Sequence, residues 1–192
     1  MKESPEVSYI TSDEEFATLC KRWQDSFAIA LDTEFMRTNT FYAKIGLLQI
    51  ADEDAVYLID PLEIKDWDCF RELLINSNCI IVVHSASEDL NLLLTHIACL
   101  PKNLFDTQLA AAFLGLGFSL SYQALVEQQT GITVEKGETR SDWLRRPLTE
   151  NQLQYAANDV VYLLDIANTL REALISKSRL SWFAAETETM LK

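Results

Sequence analysis

Four acidic residues constrain this chain more than any other feature, because each lies inside an apolar segment. The segments are ALDTEF with Asp32 and Glu34, HSASEDLNLL with Asp89, and QLQYAANDVVYLL with Asp159. Asp and Glu are rarely buried without a partner, since an unpaired charge loses its hydration. Carboxylates in core-like sequence therefore call for a compensating cation. Two Mg²⁺ ions would supply that charge, and we interpret the four residues as candidate metal ligands.

Size and composition indicate a single domain, expected to span 1–192. The 192 residues, 48% of them hydrophobic, suffice for one well-packed core. No run approaches the roughly 20 apolar residues of a membrane-spanning helix, and MKESPEVSYI lacks the apolar run of a signal peptide. We therefore expect a cytoplasmic protein. The four cysteines form no CxxC pair and have apolar neighbours, which indicates reduced thiols rather than zinc ligands.

The net charge of −13 argues at first against a nucleic-acid partner, which needs cationic contacts. Two divalent ions would, however, bring the total from −13 to −9. The segment VEKGETRSDWLRRPL also surrounds Trp143 with basic side chains, namely Lys136, Arg140, Arg145 and Arg146. This mixture suits phosphate and base contacts. It equally describes a solvated loop with an anchoring tryptophan, which composition alone favours.

The apolar pattern along the chain predicts an α/β fold. A capping-box pattern at Ser12 opens a first helix. FAIALD, IGLLQIAD and AVYLID predict a meander of three strands, and CIIVVH predicts a fourth strand after the helix DWDCFRELLINS. The remainder predicts helices: SEDLNLLLTHI opened by Ser85 or Ser87, FDTQLAAAFLG, SYQALVEQQTG ended by Gly131, and a long one from about Thr149 to Ser176.

The spacing of the acids indicates where they lie on these elements. Asp32 and Glu34 share one face at the end of a strand, and such close carboxylates repel unless a cation or a proton intervenes. Asp89 lies in the first turn of a helix, where it could simply stabilise the helix dipole. Tyr155 and Asp159 project from one face of a helix. The phenol could orient metal-bound water, or it could be a core tyrosine with a hydrogen-bonded hydroxyl.

These residues resemble the motifs of the DEDD 3′–5′ exonucleases, in the tyrosine-containing subgroup that includes ribonuclease D. DTEF at 32–35, HSASED at 84–89 and YAANDVVYLL at 155–164 are similar to the three exonuclease motifs, in the same order and spacing. TRSDWLRRPLT at 139–149 and FDT at 105–107 further resemble ribonuclease D. The resemblance covers residues from about 10 to 175.

The resemblance implies a ribonuclease H-like fold, with a mixed β-sheet flanked by helices. It implies a metal-dependent exoribonuclease that releases nucleoside 5′-monophosphates, with two ions of Mg²⁺ or Mn²⁺. Asp32 would contact both ions, Glu34 and Asp159 would complete the first, and Asp89 would hold the second. One ion would activate a water molecule and the other would stabilise the leaving 3′-oxygen. Tyr155 would orient the attacking hydroxide, where the sister subgroup uses histidine.

Residues near the motifs would hold a free 3′ end. The expected substrate-binding residues are Thr33, Phe35, Met36, His84, Lys136, Arg140 and Trp143. Apolar side chains would stack on terminal bases, and basic ones would bind phosphates. A phenylalanine and a methionine after a buried strand are, however, more often core residues.

The expected partners are single-stranded 3′ ends of RNA, with tRNA precursors and other small RNAs foremost, and no membrane. The pattern favours a monomer and leaves the oligomeric state open. The family usually carries one or two helical HRDC domains after the catalytic domain, and none is expected in this chain. Two alternatives stay open: an exonuclease acting on DNA, and a non-catalytic RNA-binding module on the same fold. The segment at 139–149 favours RNA, and the complete set of acids favours catalysis.

Overall fold

The structure is a computed structural model that describes residues 5–37, 42–76, 78–137 and 140–192. The described strands are β1 (Glu6–Ile10), β2 (Ala28–Met36), β3 (Lys44–Ala51), β4 (Ala55–Ile59), β5 (Ile80–Val83) and β6 (Leu104–Asp106). The described helices are α1 (Asp13–Trp23), α2 (Asp68–Ile75), α3 (Ser87–Leu92), α4 (Thr107–Phe113), α5 (Tyr122–Thr130), α6 (Glu150–Val161), α7 (Leu163–Ser176) and α8 (Leu180–Met190). A π-helical turn, Leu93–Ile97, continues α3.

The described strands form one mixed sheet in the order β1-β4-β3-β2-β5-β6. β2, β3 and β4 are antiparallel neighbours, so the predicted meander is confirmed. β5 pairs parallel with β2, β6 pairs parallel with β5, and β1 pairs parallel with β4. Parallel strands need crossover connections, which the intervening helices supply. The carboxyl ends of β2, β5 and β6 therefore meet at one edge of the sheet.

Helices cover both faces of this sheet, and each face builds its own core. Successive side chains of a strand point to opposite faces. Ile29 and Leu31 of β2 accordingly join a cluster with α1, α2 and α3, whereas Ala30 joins a cluster with α4 to α8. β3 and β4 are buried almost throughout, as expected for strands covered on both faces. The α/β class predicted from the sequence is confirmed.

Several boundaries differ from the sequence-based prediction. The long final helix is two helices, α6 and α7, which meet at Tyr162. Its predicted start is correct, because Thr149 forms a capping box with Gln152. The predicted end of α5 is also confirmed, since Gly131 adopts the left-handed conformation with φ 73°. β1, β6 and α8 were not predicted. β1 is an edge strand with one fully buried side chain, Ile10, so it lacks a clear apolar pattern.

Two further expectations concern the chain as a whole. Within the described part of the chain, no helix has both the length and the apolarity needed to cross a membrane. The cysteines are free, with Cys20 and Cys79 buried and Cys69 and Cys99 partly buried. Burial raises the pKa of the Cys79 thiol to about 11, so this thiol is unreactive at neutral pH.

Candidate active site

β2 carries two of the four acids beyond the end of its parallel neighbour. Within the described strands, β5 pairs with residues Ala28 to Ala30 of β2, and β2 continues to Met36 beside β3. Asp32 and Glu34 therefore lie where one flank of β2 has no adjoining strand. The sequence placed this pair at a strand end. The strand is longer than predicted, but the end of β5 leaves the same opening.

α6 brings Tyr155 and Asp159 onto the face of β2 that carries Asp32 and Glu34. The helix packs on β2, β3 and β4, with Ala156 and Val160 wholly buried against them. Tyr155 lies one turn before Asp159 on the same face of α6, close enough for the Asp159 carboxylate to affect its pKa. Burial, followed by the nearby carboxylates, raises the pKa of Tyr155 above its usual value. The phenol therefore stays protonated at neutral pH.

Asp32, Glu34 and Asp159 form an acidic cluster. One carboxylate oxygen from each lies within 4.8 Å of the other two, and all three side chains are partly buried. Oxygen ligands of Mg²⁺ or Ca²⁺ lie about 2.0–2.6 Å from the ion, so ligands around one ion are roughly 3 to 5 Å apart. The cluster therefore has the ligand type and the spacing of a divalent-cation site.

The pKa values of the cluster support that interpretation. Burial raises the pKa of Asp32 to about 7. Burial and then repulsion from Asp32 raise the pKa of Asp159 to about 8. The same two causes, with further repulsion from Asp159 and Asp89, raise the pKa of Glu34 to about 10. In the absence of a cation, the Glu34 carboxyl therefore keeps its proton at neutral pH. A bound cation would replace the proton and remove the repulsion.

Asp89 lies on α3 in the opposite helical layer, outside the cluster of Asp32, Glu34 and Asp159, and is held by Thr33. Leu90 and Leu92, its neighbours on α3, belong to the core cluster of α1 and α2. The Thr33 hydroxyl donates to Asp89 Oδ1 over 2.5 Å. Burial and then repulsion from Asp32 raise the pKa of Asp89. Thr33 was expected to bind substrate, but it is only 6% exposed and its hydroxyl is used by Asp89. The structure therefore makes it a support for that acid.

A further buried carboxylate, Asp106, determines where α3 begins. The sequence predicted a cap at Ser85 or Ser87, but the N-cap residue is Ala86, which has no side-chain acceptor. Asp106, at the end of β6, instead accepts hydrogen bonds from the amides of Ser85 at 3.0 Å and Ala86 at 2.9 Å. It also caps α4 through the amide of Gln108. The sequence signal was the FDT segment, whose role in orienting α3 was not recognised.

Gln49 is a second residue that sequence reasoning missed. It is fully buried on β3, and its Nε2 donates to Asp32 Oδ2 over 3.3 Å. Its Oε1 has no hydrogen-bond partner among the residues that the structure describes. The available signal was one amide inside the apolar strand GLLQIA. An orphaned buried acceptor beside the acids fits a site that binds additional groups, such as a hydrated cation.

His84 forms part of the wall of the site. A cavity of about 170 Å³ is lined by Asp32, His84, Tyr122, Gln123, Tyr155, Asp159 and Leu163. His84 Nε2 donates to the Leu120 carbonyl over 2.9 Å, and Nδ1 lies 2.8 Å from Thr107 Oγ1. Burial lowers the pKa of His84, so the ring is neutral. Both ring nitrogens of His84 therefore have partners within the fold. His84 was expected to bind substrate, and in the structure it forms part of the cavity wall.

Trp143 is a buried anchor rather than a base platform. It is 1% exposed, so its ring offers little surface to a base, and this burial favours the alternative of an anchoring tryptophan. The centroids of the Trp143 and Tyr155 rings are 6.1 Å apart, so the two rings pack beside each other. Its backbone approaches β3 so closely that a Cβ at Gly46 would lie 2.6 Å from the Trp143 carbonyl oxygen.

The basic residues around Trp143 divide into two groups. Arg146 donates to both oxygens of Asp60 over 2.8 and 2.9 Å, so it joins the segment before α6 to the end of β4 instead of facing a substrate. Lys136, Arg140 and Arg145 are exposed. Lys136 also lies near the site, because a Cβ on the next residue, Gly137, would be 3.7 Å from the Tyr155 ring.

The two apolar residues expected to hold the 3′ end lie at the margin of the core. Phe35 is partly buried against the cluster of α1 to α3, and Met36 is partly buried against the cluster of α4 to α8. Both follow Glu34 on β2. Each therefore packs on the fold and retains some exposed surface beside the acids.

Comparison with known proteins places this site in a family. A family model described as a 3′-5′ exonuclease matches residues 7–175. The chain therefore belongs to the 3′-5′ exonuclease family, and the ribonuclease H-like fold is confirmed.

Within that family, the resemblance to ribonuclease D is also confirmed. Ribonuclease D of Pseudomonas paraeruginosa is 46% identical over 93% of this chain and 47% of its own length. The Escherichia coli protein is 46% identical over 84% of this chain and 43% of its own length. The chain thus spans about half the length of the curated relatives that it matches.

Solved structures agree with this assignment. The crystal structure of Escherichia coli RNase D has a TM-score of 0.93 and 41% identity, covering 98% of this chain and 50% of that one. The catalytic core of RRP6 from Trypanosoma brucei has a TM-score of 0.91, covering 98% of this chain and 53% of that one. At 22% identity, the second likeness concerns the fold alone.

Proposed function

We propose that this chain is the catalytic domain of a metal-dependent 3′–5′ exoribonuclease that releases nucleoside 5′-monophosphates. The observation that carries the proposal is the cluster of Asp32, Glu34 and Asp159, with Asp89 and Tyr155 near enough to it for their pKa values to respond to its charges. Support also comes from two relatives named ribonuclease D, each of which is 46% identical to this chain over the matched residues. One of them is described as an exoribonuclease involved in structured RNA processing.

Two divalent ions, Mg²⁺ or Mn²⁺, are proposed to occupy the site. Asp32, Glu34 and Asp159 would hold one ion, and Asp89 together with Asp32 would hold the other. When bound, such ions lower the pKa of a water molecule and stabilise negative charge on the leaving 3′-oxygen. The raised pKa values of Glu34, Asp89 and Asp159 support this assignment, because a cation relieves the repulsion that causes part of each of these shifts.

The chain's own groups would orient the reactants. Tyr155 keeps its proton at neutral pH, so its hydroxyl acts as a hydrogen-bond partner for the attacking water rather than as a base. Trp143 packs beside the Tyr155 ring, with 6.1 Å between the ring centroids, and so restrains the position of the phenol. Gln49 restrains Asp32, and Thr33 restrains Asp89. Such preorganisation lowers the barrier, because little rearrangement accompanies the reaction.

The proposed substrate is the single-stranded 3′ end of an RNA, with tRNA precursors as the proposed natural class and a monomer as the active form. The cavity of about 170 Å³, which Asp32 and Asp159 help to line, is the proposed position of the strand end. The exposed Lys136 and Arg140 are proposed to bind phosphates of the entering strand. Both lie on the segment that precedes α6.

Digestion of a 5′-labelled single-stranded RNA, beside a DNA of matched sequence, tests the proposal. We expect a ladder that shortens from the 3′ end in Mg²⁺ or Mn²⁺ and is absent in EDTA. Asp159→Asn should lower the rate by at least about 10³-fold, since a bound metal stabilises the transition state by several kcal/mol. A ladder from DNA alone would redirect the proposal to DNA. Intact RNA and DNA under every metal condition would contradict the enzyme proposal and favour a binding module.

A further inference from the structure

Phe118 is the most exposed of the large apolar side chains that the structure describes. It is 91% exposed, compared with 62% for Trp182 and 58% for Phe27. Single exposed apolar side chains are common on proteins, so exposure by itself assigns no role. The position of Phe118 in the fold is what distinguishes it from the other two.

The loop that carries Phe118, residues 115–121 between α4 and α5, is anchored at its end. The Leu120 carbonyl accepts hydrogen bonds from His84 Nε2 over 2.9 Å and from Gln108 Nε2 over 3.0 Å. Gly117 lies against the Leu120 side chain, where an added Cβ would be 2.8 Å away. Ser119 adopts the left-handed conformation, with φ 54°. The loop therefore has a defined shape that leaves Phe118 in solvent.

This loop borders the candidate active site. His84, which holds the loop, lines the same cavity as Asp32 and Asp159, and so do Tyr122 and Gln123 just after the loop. Phe118 is two residues from Leu120, and two residues of chain span at most about 7 Å. The Cα atom of Phe118 therefore lies within about 7 Å of Leu120, whose carbonyl is bonded to the cavity-lining His84.

We propose that Phe118 is a binding site for a nucleobase of the single strand whose 3′ end occupies the cavity. This inference rests on the proposed function. Every base has a π-face, so stacking on an aromatic ring adds affinity with little dependence on sequence. Such a contact suits a chain whose net charge of −13 limits electrostatic attraction to a polyanion. The ring would hold a base upstream of the terminal nucleotide, outside the acidic cluster.

Fluorescence anisotropy with a short 5′-fluorescein oligoribonucleotide in Mg²⁺ tests the contact, using Asp159→Asn protein to prevent cleavage. Adding Phe118→Ala should raise Kd by about 5- to 150-fold, the range that one stacked base contributes. Phe118→Trp should keep the affinity, and Phe118→Leu should not. Phe27→Ala, which removes an exposed aromatic ring from the opposite end of β2, is the control and should leave Kd unchanged.

A set of oligonucleotides, each with one abasic position, separates stacking from an indirect effect. At the stacked position the abasic change should weaken binding to the parent protein, and Phe118→Ala should then cause no further loss. Equal Kd values for the parent and Phe118→Ala, or full affinity in Phe118→Leu, would overturn the stacking proposal. Wild-type digestion of RNA is scored separately. If wild-type protein produces a ladder and Phe118→Ala leaves Kd unchanged, the stacking proposal is rejected and the exonuclease proposal stands. If wild-type protein produces no ladder, the exonuclease proposal is rejected.

Discussion

At the scale of single residues, the four acids differ in how far the apo protein already supports them. Asp89 is held by a hydrogen bond from Thr33, and Asp32 by one from Gln49. Glu34 has the highest pKa value of the cluster, about 10, because burial and three nearby acids disfavour its charge. The environment of Glu34 is therefore the one that a cation would change most.

The raised pKa values predict how stability depends on pH without metal. The pKa is about 7 for Asp32, 8 for Asp159 and 10 for Glu34, above ordinary values of 3.8 for Asp and 4.5 for Glu. The folded state then binds more protons than the unfolded state, so the free energy of unfolding falls as pH rises from about 4 to about 10. Divalent ions compete with these protons. The gain in Tm on adding Mg²⁺ or Mn²⁺ should therefore be larger at about pH 9 than at about pH 6. Equal gains at both values would contradict the prediction.

Replacing Glu34 by glutamine should affect stability and activity in opposite directions. Glutamine resembles the protonated acid and carries no charge, so Glu34→Gln should keep or raise the Tm of the metal-free protein at alkaline pH. Exonuclease activity should fall by at least about 10³-fold, because a metal ligand is lost. Thermal unfolding in EDTA and RNA digestion in Mg²⁺ measure the two effects. A large loss of Tm in EDTA would show that the charged carboxylate stabilises the fold.

Removing the Tyr155 hydroxyl should lower kcat without unfolding the site. Tyr155→Phe keeps the ring beside Trp143, so we expect a Tm within a few degrees of wild type. The kcat for RNA should fall by about 10²- to 10⁴-fold, the usual contribution of a group that orients or transfers a proton. Tyr57→Phe is the control, because it loses a hydroxyl bonded to Arg22 on the other face of the sheet. Equal loss of kcat in both variants would remove the role assigned to Tyr155.

At the scale of elements, the site depends on how α6 is attached to the sheet. The segment before α6 is joined to β4 by the two hydrogen bonds from Arg146 to Asp60, and Asp60 is 2% exposed. The same segment packs Trp143 against Gly46 on β3. Both contacts therefore fix the position of α6 on the sheet. That position determines the distance between Asp159 and the acids of β2.

Breaking the ion pair should destabilise the protein and reduce its activity. Arg146→Ala leaves Asp60 buried without its partner, which typically costs about 3–5 kcal/mol. Urea unfolding measures the loss, and RNA digestion should show reduced activity because α6 carries Tyr155 and Asp159. Lys192→Ala is the control, because its pair with Glu188 is 71% and 72% exposed and should contribute less than about 1 kcal/mol. Similar losses of unfolding free energy in Arg146→Ala and Lys192→Ala would mean that the Arg146–Asp60 pair does not hold the segment before α6 on the sheet.

Element boundaries show which parts of the fold were open to sequence reasoning. The meander, the capping box at Thr149 and the end of α5 at Gly131 were predictable, because each depends on neighbouring residues. The start of α3 was not. Its first amides are bonded by Asp106, which lies some twenty residues further along the chain and reaches them only through the parallel pairing of β5 and β6.

At the scale of the whole molecule, charge limits how the protein attracts RNA. The net charge is −13, and the exposed basic side chains of the described segment before α6 are Lys136, Arg140 and Arg145. Affinity must therefore come largely from contacts that do not depend on charge.

The salt dependence of binding should accordingly be shallow. Each phosphate contact to a single strand contributes about −0.7 to the slope of log K against log salt, so two contacts predict a slope of about −1.4. Lys136→Ala should bring the slope closer to zero by about 0.7. Lys21→Ala, on α1 in the opposite layer, should leave it unchanged. Anisotropy across a salt series measures both, and an unchanged slope in Lys136→Ala would exclude its phosphate contact.

The sequence by itself determined the α/β class, the family and the identity of the acids. Each of these depends on residue type and on short-range spacing, as in Asp32 with Glu34 and Tyr155 with Asp159. Tertiary structure alone decided which side chains face a substrate. Trp143, Thr33, His84 and Arg146 all carry groups that could bind RNA, yet each is engaged within the fold. Phe118 carries no motif and is nevertheless exposed, on a loop that is bonded to the cavity-lining His84. Burial and hydrogen bonding join residues distant in the chain, so no local pattern in the sequence reveals them.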